Sequence, residues 1–246
     1  RLAREVREPI NQCWREIGTT LASLADDADL LFTGLSFEQP AANVAEYYGI
    51  PLVTLHYHPA RANGPLMPFL PGVLGRLAMT ADERLGWRVS KKVDDEQRRQ
   101  LGLPRTSGPA SRRIAERGSL EIQAYDEVCF PGLAEEWARW GGQRPFVGAL
   151  TLDLATEADD DVAAWSAAGT PPVFFGFGST PVESATDTLT MIGDACSQLG
   201  ERALVCTGWS DFRDVPRLDH VKVVSAMSFS AGFPSWRAVV HHGGTG

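Results

Sequence analysis

The residues best suited to chemistry close the chain: His241-His242-Gly243-Gly244-Thr245-Gly246. They follow an apolar run, Ala238 to Val240, that reads as a buried parallel strand. Glycines after such a strand let the backbone approach a ligand and free its N–H groups for an anion. A second stretch has the same layout. Val173 to Phe177 reads as a buried strand, and Gly178-Ser179 as a turn. Thr180 then fits the N-cap of a helix, Pro181 its first position and Glu183 the third position of a capping box. Parallel strands of one sheet end on one edge, so both turns should open into one crevice. The chemistry of such a pair is a cradle for an anion, built from turn amides, a helix N-terminus and the His241 imidazole. Other chemistries fit less well. Pro181 stands where a dinucleotide fingerprint needs its third glycine, and no Gly-Lys-Ser/Thr follows as in a P-loop. Ser179 lacks the Gly-x-Ser-x-Gly elbow of a hydrolase. His241 and His242 are adjacent on a strand, so they point to opposite faces and cannot easily chelate one ion; no metal site is expected.

The closing motif resembles the His-His-Gly-Gly-x-Gly donor signature of GT-B glycosyltransferases, and the Gly-x-Gly-Ser turn at Gly176 to Ser179 has a counterpart there. The similarity is to the bacterial natural-product and sterol members, including those that decorate glycopeptides and mycobacterial glycopeptidolipids. It implies two Rossmann-like domains with parallel sheets facing a cleft. It implies donor diphosphate contacts at Gly178, Ser179, Thr180, His241, Gly243, Gly244 and Thr245. It also implies donor or base contacts near Trp209 and at Met227-Ser228-Phe229. The latter replaces the Pro-His or Pro-Gln often found there, so the base is open between uracil and thymine. The implied reaction moves a hexose from a UDP or dTDP sugar to an acceptor hydroxyl, with inversion and without cofactor or metal. The nucleotide sugar is a co-substrate. The family's usual catalytic base lies before Arg1, leaving His56 and His58 as fallback candidates. Two other classes share these features: a nucleotide-sugar epimerase of the same architecture, and a non-catalytic nucleotide-binding protein.

The elements that must position these residues alternate along the chain. Leu2, Val6, Ile10, Cys13, Ile17, Leu21 and Leu24 mark one helical face. Asp29 to Gly34 reads as a buried strand, Gln39 to Tyr48 as a helix ending at Gly49, and Pro51 to His56 as the next strand. The Pro-rich stretch Tyr57 to Gly72 then follows a strand end, where open α/β sheets bind ligands. Its composition suits a largely apolar acceptor such as a lipopeptide, polyketide or sterol, with His56, Tyr57, His58, Leu66, Met67 and Phe69 as candidate contacts. Thr80 to Leu101 is a charged helical region whose Lys91-to-Arg99 run reads as a solvated face without chemistry. Leu120 to Ala124 reads as a strand, and Val128 to Phe130 as another short one. Residues 1–152 are expected to form an acceptor domain lacking its first strand. Residues 153–171 form an acidic linker and lead-in helix, and 172–246 the first part of a donor domain.

The 246 residues carry a net charge of -8 with no basic tract, which makes nucleic acid and anionic membrane surfaces poor candidate partners. No apolar run reaches membrane-spanning length, although peripheral membrane contact stays open. Cys13, Cys129, Cys196 and Cys206 are scattered and read as reduced core thiols of a cytoplasmic protein. No initiator Met opens the chain, and it stops inside its strongest motif, so it reads as incomplete at both ends.

Overall fold

A computed structural model describes residues 2–151 and 154–244. Contacts divide the chain into two compact α/β units, with the division between Leu150 and Thr151.

In the first unit, α1 (Leu2–Leu24) runs unbroken through Pro9 and leads to β1 (Leu31–Gly34). Next come α2 (Glu38–Tyr48), β2 (Leu52–His56), α3 (Gly72–Gln100), α4 (Ala110–Glu116), β3 (Leu120–Gln123) and α5 (Leu133–Trp137). The sheet is parallel in the order β1-β2-β3. Gly49 ends α2 at φ 67°, a left-handed residue that costs least as glycine. Ala41, Ala42, Ala45, Leu52, Ala110 and Ile114 form the core between α2, α4 and the sheet. Leu133, Trp137 and Tyr125 form a second cluster.

The second unit holds α6 (Asp159–Ala167), β4 (Val173–Gly176), α7 (Ala185–Leu199), β5 (Ala203–Cys206), β6 (Val221–Val224), α8 (Phe229–Gly232) and β7 (Ala238–His241). Its four strands are parallel in the order β6-β5-β4-β7. The chain winds outward from β4 to β6 and then returns to the far side of β4. The strand order therefore reverses between β4 and β7. One core layer stacks Phe174 on Trp236, with ring centroids 4.1 Å apart. The other packs Leu189, Ile192 and Cys196 of α7 against Ala203 and Val205.

Several expected elements differ. β1 and β7 lie at sheet edges, so they are not fully covered: Phe32, Val239 and Val240 are exposed. Val128 belongs to a 3-10 turn, because Asp126 accepts from its N–H at 3.1 Å and curls the backbone. Leu24 is exposed, as are Cys13 and Cys129; only Cys196 and Cys206 are core thiols, each pushed up by burial. The Lys91-to-Arg99 run is not a solvated face throughout. Asp94, Gln97 and Arg98 are buried. Arg98 donates to both carboxylate oxygens of Glu46 at 2.9 and 3.0 Å, and Asn43 donates to Asp94 and Gln97. Helix α3 is thereby tied to α2 by charge-assisted bonds that sequence spacing alone does not reveal.

Candidate active site

The second unit's site grows from the reversal of strand order. Gly176 and His241 are register partners at the carboxyl ends of β4 and β7. In an open α/β sheet, that reversal leaves a crevice outside the strand ends. Three turns meet there. Gly178 has φ 56° and Gly208 has φ 58°, so both sit where side chains are strained. A Cβ on Gly208 would collide with the Gly178 carbonyl, and one on Gly178 would lie 2.5 Å from Cε1 of His242. Gly244 closes on the same ring. The His242 imidazole is thus the packing element that holds the last turn against the Gly178 turn.

His241 faces outward and is exposed. Its Nδ1 accepts from the Gly243 N–H at 3.1 Å. A ring nitrogen that accepts must be unprotonated, so the neutral ring carries its proton on Nε2. That leaves an N–H donor directed away from the turn, while the Gly243 amide is already engaged. Ser179 and Thr180 are exposed in the neighbouring turn. Thr180 is not a helix cap. Its N–H bonds to the Phe177 carbonyl, and the Val182 N–H is taken by Ser210 Oγ at 3.1 Å. These bonds hold the segment as a loop. Helix α7 starts later, and Ser184 caps it by accepting from the Asp187 N–H at 3.3 Å. Thr245 lies outside the described residues.

The other expected donor contacts separate. Trp209 is almost fully exposed beside the Gly208 turn. Met227 is a core residue, Ser228 is buried, and the Ser228 N–H is held by Asp159 at 2.8 Å. Asp159 also accepts from the Thr156 N–H and hydroxyl, and these bonds keep its carboxyl below the usual range. Phe229 is partly exposed and edge-on to Phe174. No free backbone donor stands at Ser228 for a base.

In the first unit, an open recess of about 570 Å³ lies between the start of α2, the loop after β2 and α3. Three of the six expected acceptor contacts line it: His58, Leu66 and Met67. Tyr57 is exposed and packs edge-on against His58, and Phe69 projects into solvent. His56 does not line it. It is fully buried, 2.6 Å from Glu38 Oε1 and 3.2 Å from Thr54 Oγ1, so it serves neither as an acceptor contact nor as a base at this recess. Around it runs a buried ionic chain. Arg61 bonds Glu38 through two nitrogens at 2.9 Å and Glu121 through Nε, and Arg144 bonds Glu121 at 3.0 Å. Burial would raise the Glu38 carboxyl, but the bonds from His56 and Arg61 and the Arg61 charge outweigh it and hold it below 4.5.

Two recess residues come from parts of the sequence given no chemistry. Trp87 Nε1 and Ser111 Oγ are buried polar atoms without a hydrogen-bond partner among the described residues. With Met79, Met67 and Leu66, they line a recess whose wall also carries Glu38, Arg61, Asp82 and Glu83.

No protein-family model matches the chain. It is 55% identical over 239 residues to an uncharacterized glycosyltransferase of Mycobacterium leprae, covering 97% of this chain and 57% of that protein. The chain thus spans less than two thirds of that relative's length. Among solved structures, it is similar to the calicheamicin glycosyltransferase CalG4, with a TM-score of 0.64 and 16% identity over 98% of this chain and 60% of that one. It is also similar to a glycosyltransferase from Siraitia grosvenorii in complex with UDP, with a TM-score of 0.57 and 15% identity over 95% of this chain and 63% of that one. Two parallel-sheet α/β units and this fold likeness give the chain the fold of GT-B glycosyltransferases, and over nearly all of its own length it is similar to a mycobacterial protein named a glycosyltransferase.

Proposed function

We propose that the protein transfers a hexose from a UDP or dTDP sugar to a hydroxyl of a largely apolar acceptor. The observation that carries the reading is the meeting of the Gly178, Gly208 and Gly243-Gly244 turns at the β4–β7 reversal, with His241 at its rim. As the sugar–phosphate bond breaks, negative charge grows on the departing diphosphate. Donors fixed in advance near that charge lower the barrier most, because they need not reorganise during the reaction. The Nε2–H of His241 and the amide and hydroxyl of Ser179 are such donors. They supply the charge stabilisation without a metal. Attack by the acceptor oxygen from the opposite side of the sugar carbon inverts that centre.

The acceptor side of the proposal rests on the recess lined by Leu66, Met67, Met79, Trp87 and Ser111. The base that removes the acceptor proton is assigned to no described residue. Full-length protein should consume UDP- or dTDP-hexose only when an apolar hydroxylated acceptor is present, giving glycoside and nucleoside diphosphate in equal amounts. Release of free or epimerised sugar without acceptor would overturn the transfer reading. So would a nucleotide complex with its phosphates away from the Ser179 and His241 turns.

A further inference from the structure

The first unit holds a second hollow, of about 520 Å³. Its lining includes Leu52 and Leu120, the first residues of β2 and β3, and the last turns of α2 and α4. The recess takes the opposite ends of the same two helices, at Glu38 and Ala110. The two hollows therefore lie at opposite edges of one sheet, and they share no lining residue.

Most of this lining is apolar, with Ala45, Ile50, Pro51, Leu52, Ile114 and Leu120 contributing. Its charges are unbalanced. Arg113 and Arg117 line it, and Glu46 is the only acid in the lining among the described residues. Both oxygens of Glu46 already accept from Arg98, at 2.9 and 3.0 Å. Arg113 and Arg117 reach the same carboxylate only at 3.8 and 4.0 Å, beyond hydrogen-bond distance. The other acid facing Arg113 is Asp94, whose oxygens accept from Gln39, Asn43 and Thr106. Three guanidinium groups thus share two carboxylates. Arg113 carries the shortfall. It donates through Nη2 to Asn43 at 2.7 Å, but its Nε and Nη1 are buried without a hydrogen-bond partner among the described residues. Burial holds its guanidinium below the usual arginine range.

An apolar hollow with one uncompensated positive charge is complementary to a compact apolar body that carries one anionic group. Removing the body from water is favourable, and away from bulk water the charges attract more strongly. We infer that this hollow binds a small amphiphilic carboxylate, with the carboxylate on Arg117 and beside the Arg113 charge, and the apolar body against Ile50, Leu52, Ile114 and Leu120. The site is separate from the recess, and the inference is independent of the transfer reaction.

The test is isothermal titration calorimetry of the full-length protein with octanoate, with octanol and with inorganic phosphate. Octanoate is expected to bind. Octanol lacks the charge and phosphate lacks the apolar body, so each should bind at least about tenfold more weakly, the scale of one charged contact. Arg117→Gln should weaken octanoate binding about tenfold, and Arg117→Lys should keep most of it. Arg117 is exposed, so thermal unfolding should be unchanged in both variants. His58→Gln, on the recess wall, should leave octanoate affinity as it is. Absence of octanoate binding would overturn the inference, as would octanol or phosphate binding equally well. Affinity kept in Arg117→Gln but lost in His58→Gln would also overturn it, by placing octanoate in the recess.

Discussion

His241 and His242 show how differently two neighbouring identical residues can be used. His242 packs against Gly178 and Gly244, so its role is to join two turns. His241 carries an outward Nε2–H because its Nδ1 is committed to Gly243. Under the proposed reaction that donor gains most when the diphosphate leaves, so its removal should slow turnover more than it weakens donor binding. In full-length protein, His241→Ala should lower kcat on the order of 10²-fold, the scale of one lost oxyanion donor. Ser179→Ala should cost less, since backbone amides remain. Steady-state kinetics decide, and near-normal turnover in His241→Ala would remove the imidazole from the mechanism. The glycine-rich turns were legible because their residue types and order are local. The ionic chain was not, because Glu38, Arg61, Glu121 and Arg144 are far apart in sequence and only the fold brings them together. Its energetics are testable. Glu38→Gln should destabilise the protein by about 3–5 kcal/mol, because it leaves Arg61 buried with part of its counter-charge gone. The Glu38 carboxyl is depressed on folding, so its contribution is complete above pH 4.5 and fades as pH falls through the lower folded value. Unfolding free energies from urea titrations run from pH 6 downward should therefore fall less steeply in the variant, by up to about 1.4 kcal/mol per pH unit.

Among the elements, the start of α7 separates local pattern from tertiary outcome. Thr180-Pro181-Val182-Glu183 satisfies every local rule for a helix start, and so does Ser184 for a cap one turn later. The choice is made from outside the segment: Ser210, in the loop after β5, takes the Val182 N–H. Ser184→Ala should thus cost about 1 kcal/mol, and Thr180→Ala close to nothing. Chemical denaturation compares them directly, and the reverse order would restore the earlier cap. The same loop supplies Gly208, whose hydrogen faces the Gly178 carbonyl. Gly208→Ala must move one backbone away from another, and it also places a side chain at positive φ. A loss of donor affinity with little change in α/β content by circular dichroism is expected. Unchanged affinity would mean that the meeting of the turns does not matter for the donor. Strand order was beyond sequence reasoning for a related cause. Each strand of the second unit is four residues long and mostly apolar, and nothing in β7 itself says that it returns beside β4 rather than extending past β6.

For the whole molecule, the legible part was the alternation of strands and helices in each unit. The less legible part was which helix faces do chemistry. Charge density in residues 80–101 suggested a solvated surface, yet α3 divides its residues among a buried network, a recess wall and an outward apolar strip. This division bears on acceptor choice. If the loop 57–72 alone selected the acceptor, exchanging it for a relative's loop would transfer preference completely. The recess, however, is walled on one side by His58, Leu66 and Met67 and on the other by Met79 and Trp87 of α3, with Ser111 at the start of α4. Shape and polar anchors are thus split between loop and helices, and a guest that fits one wall must also fit the other. Exchanging residues 57–72 in the full-length protein should therefore move the ranking of acceptors only part of the way. Exchanging 57–90 should move it further, while the donor KM shifts little in either chimera because the donor turns belong to the second unit. Competition assays over a panel of apolar acceptors measure the ranking. A ranking unchanged in both chimeras would place acceptor selection outside this recess.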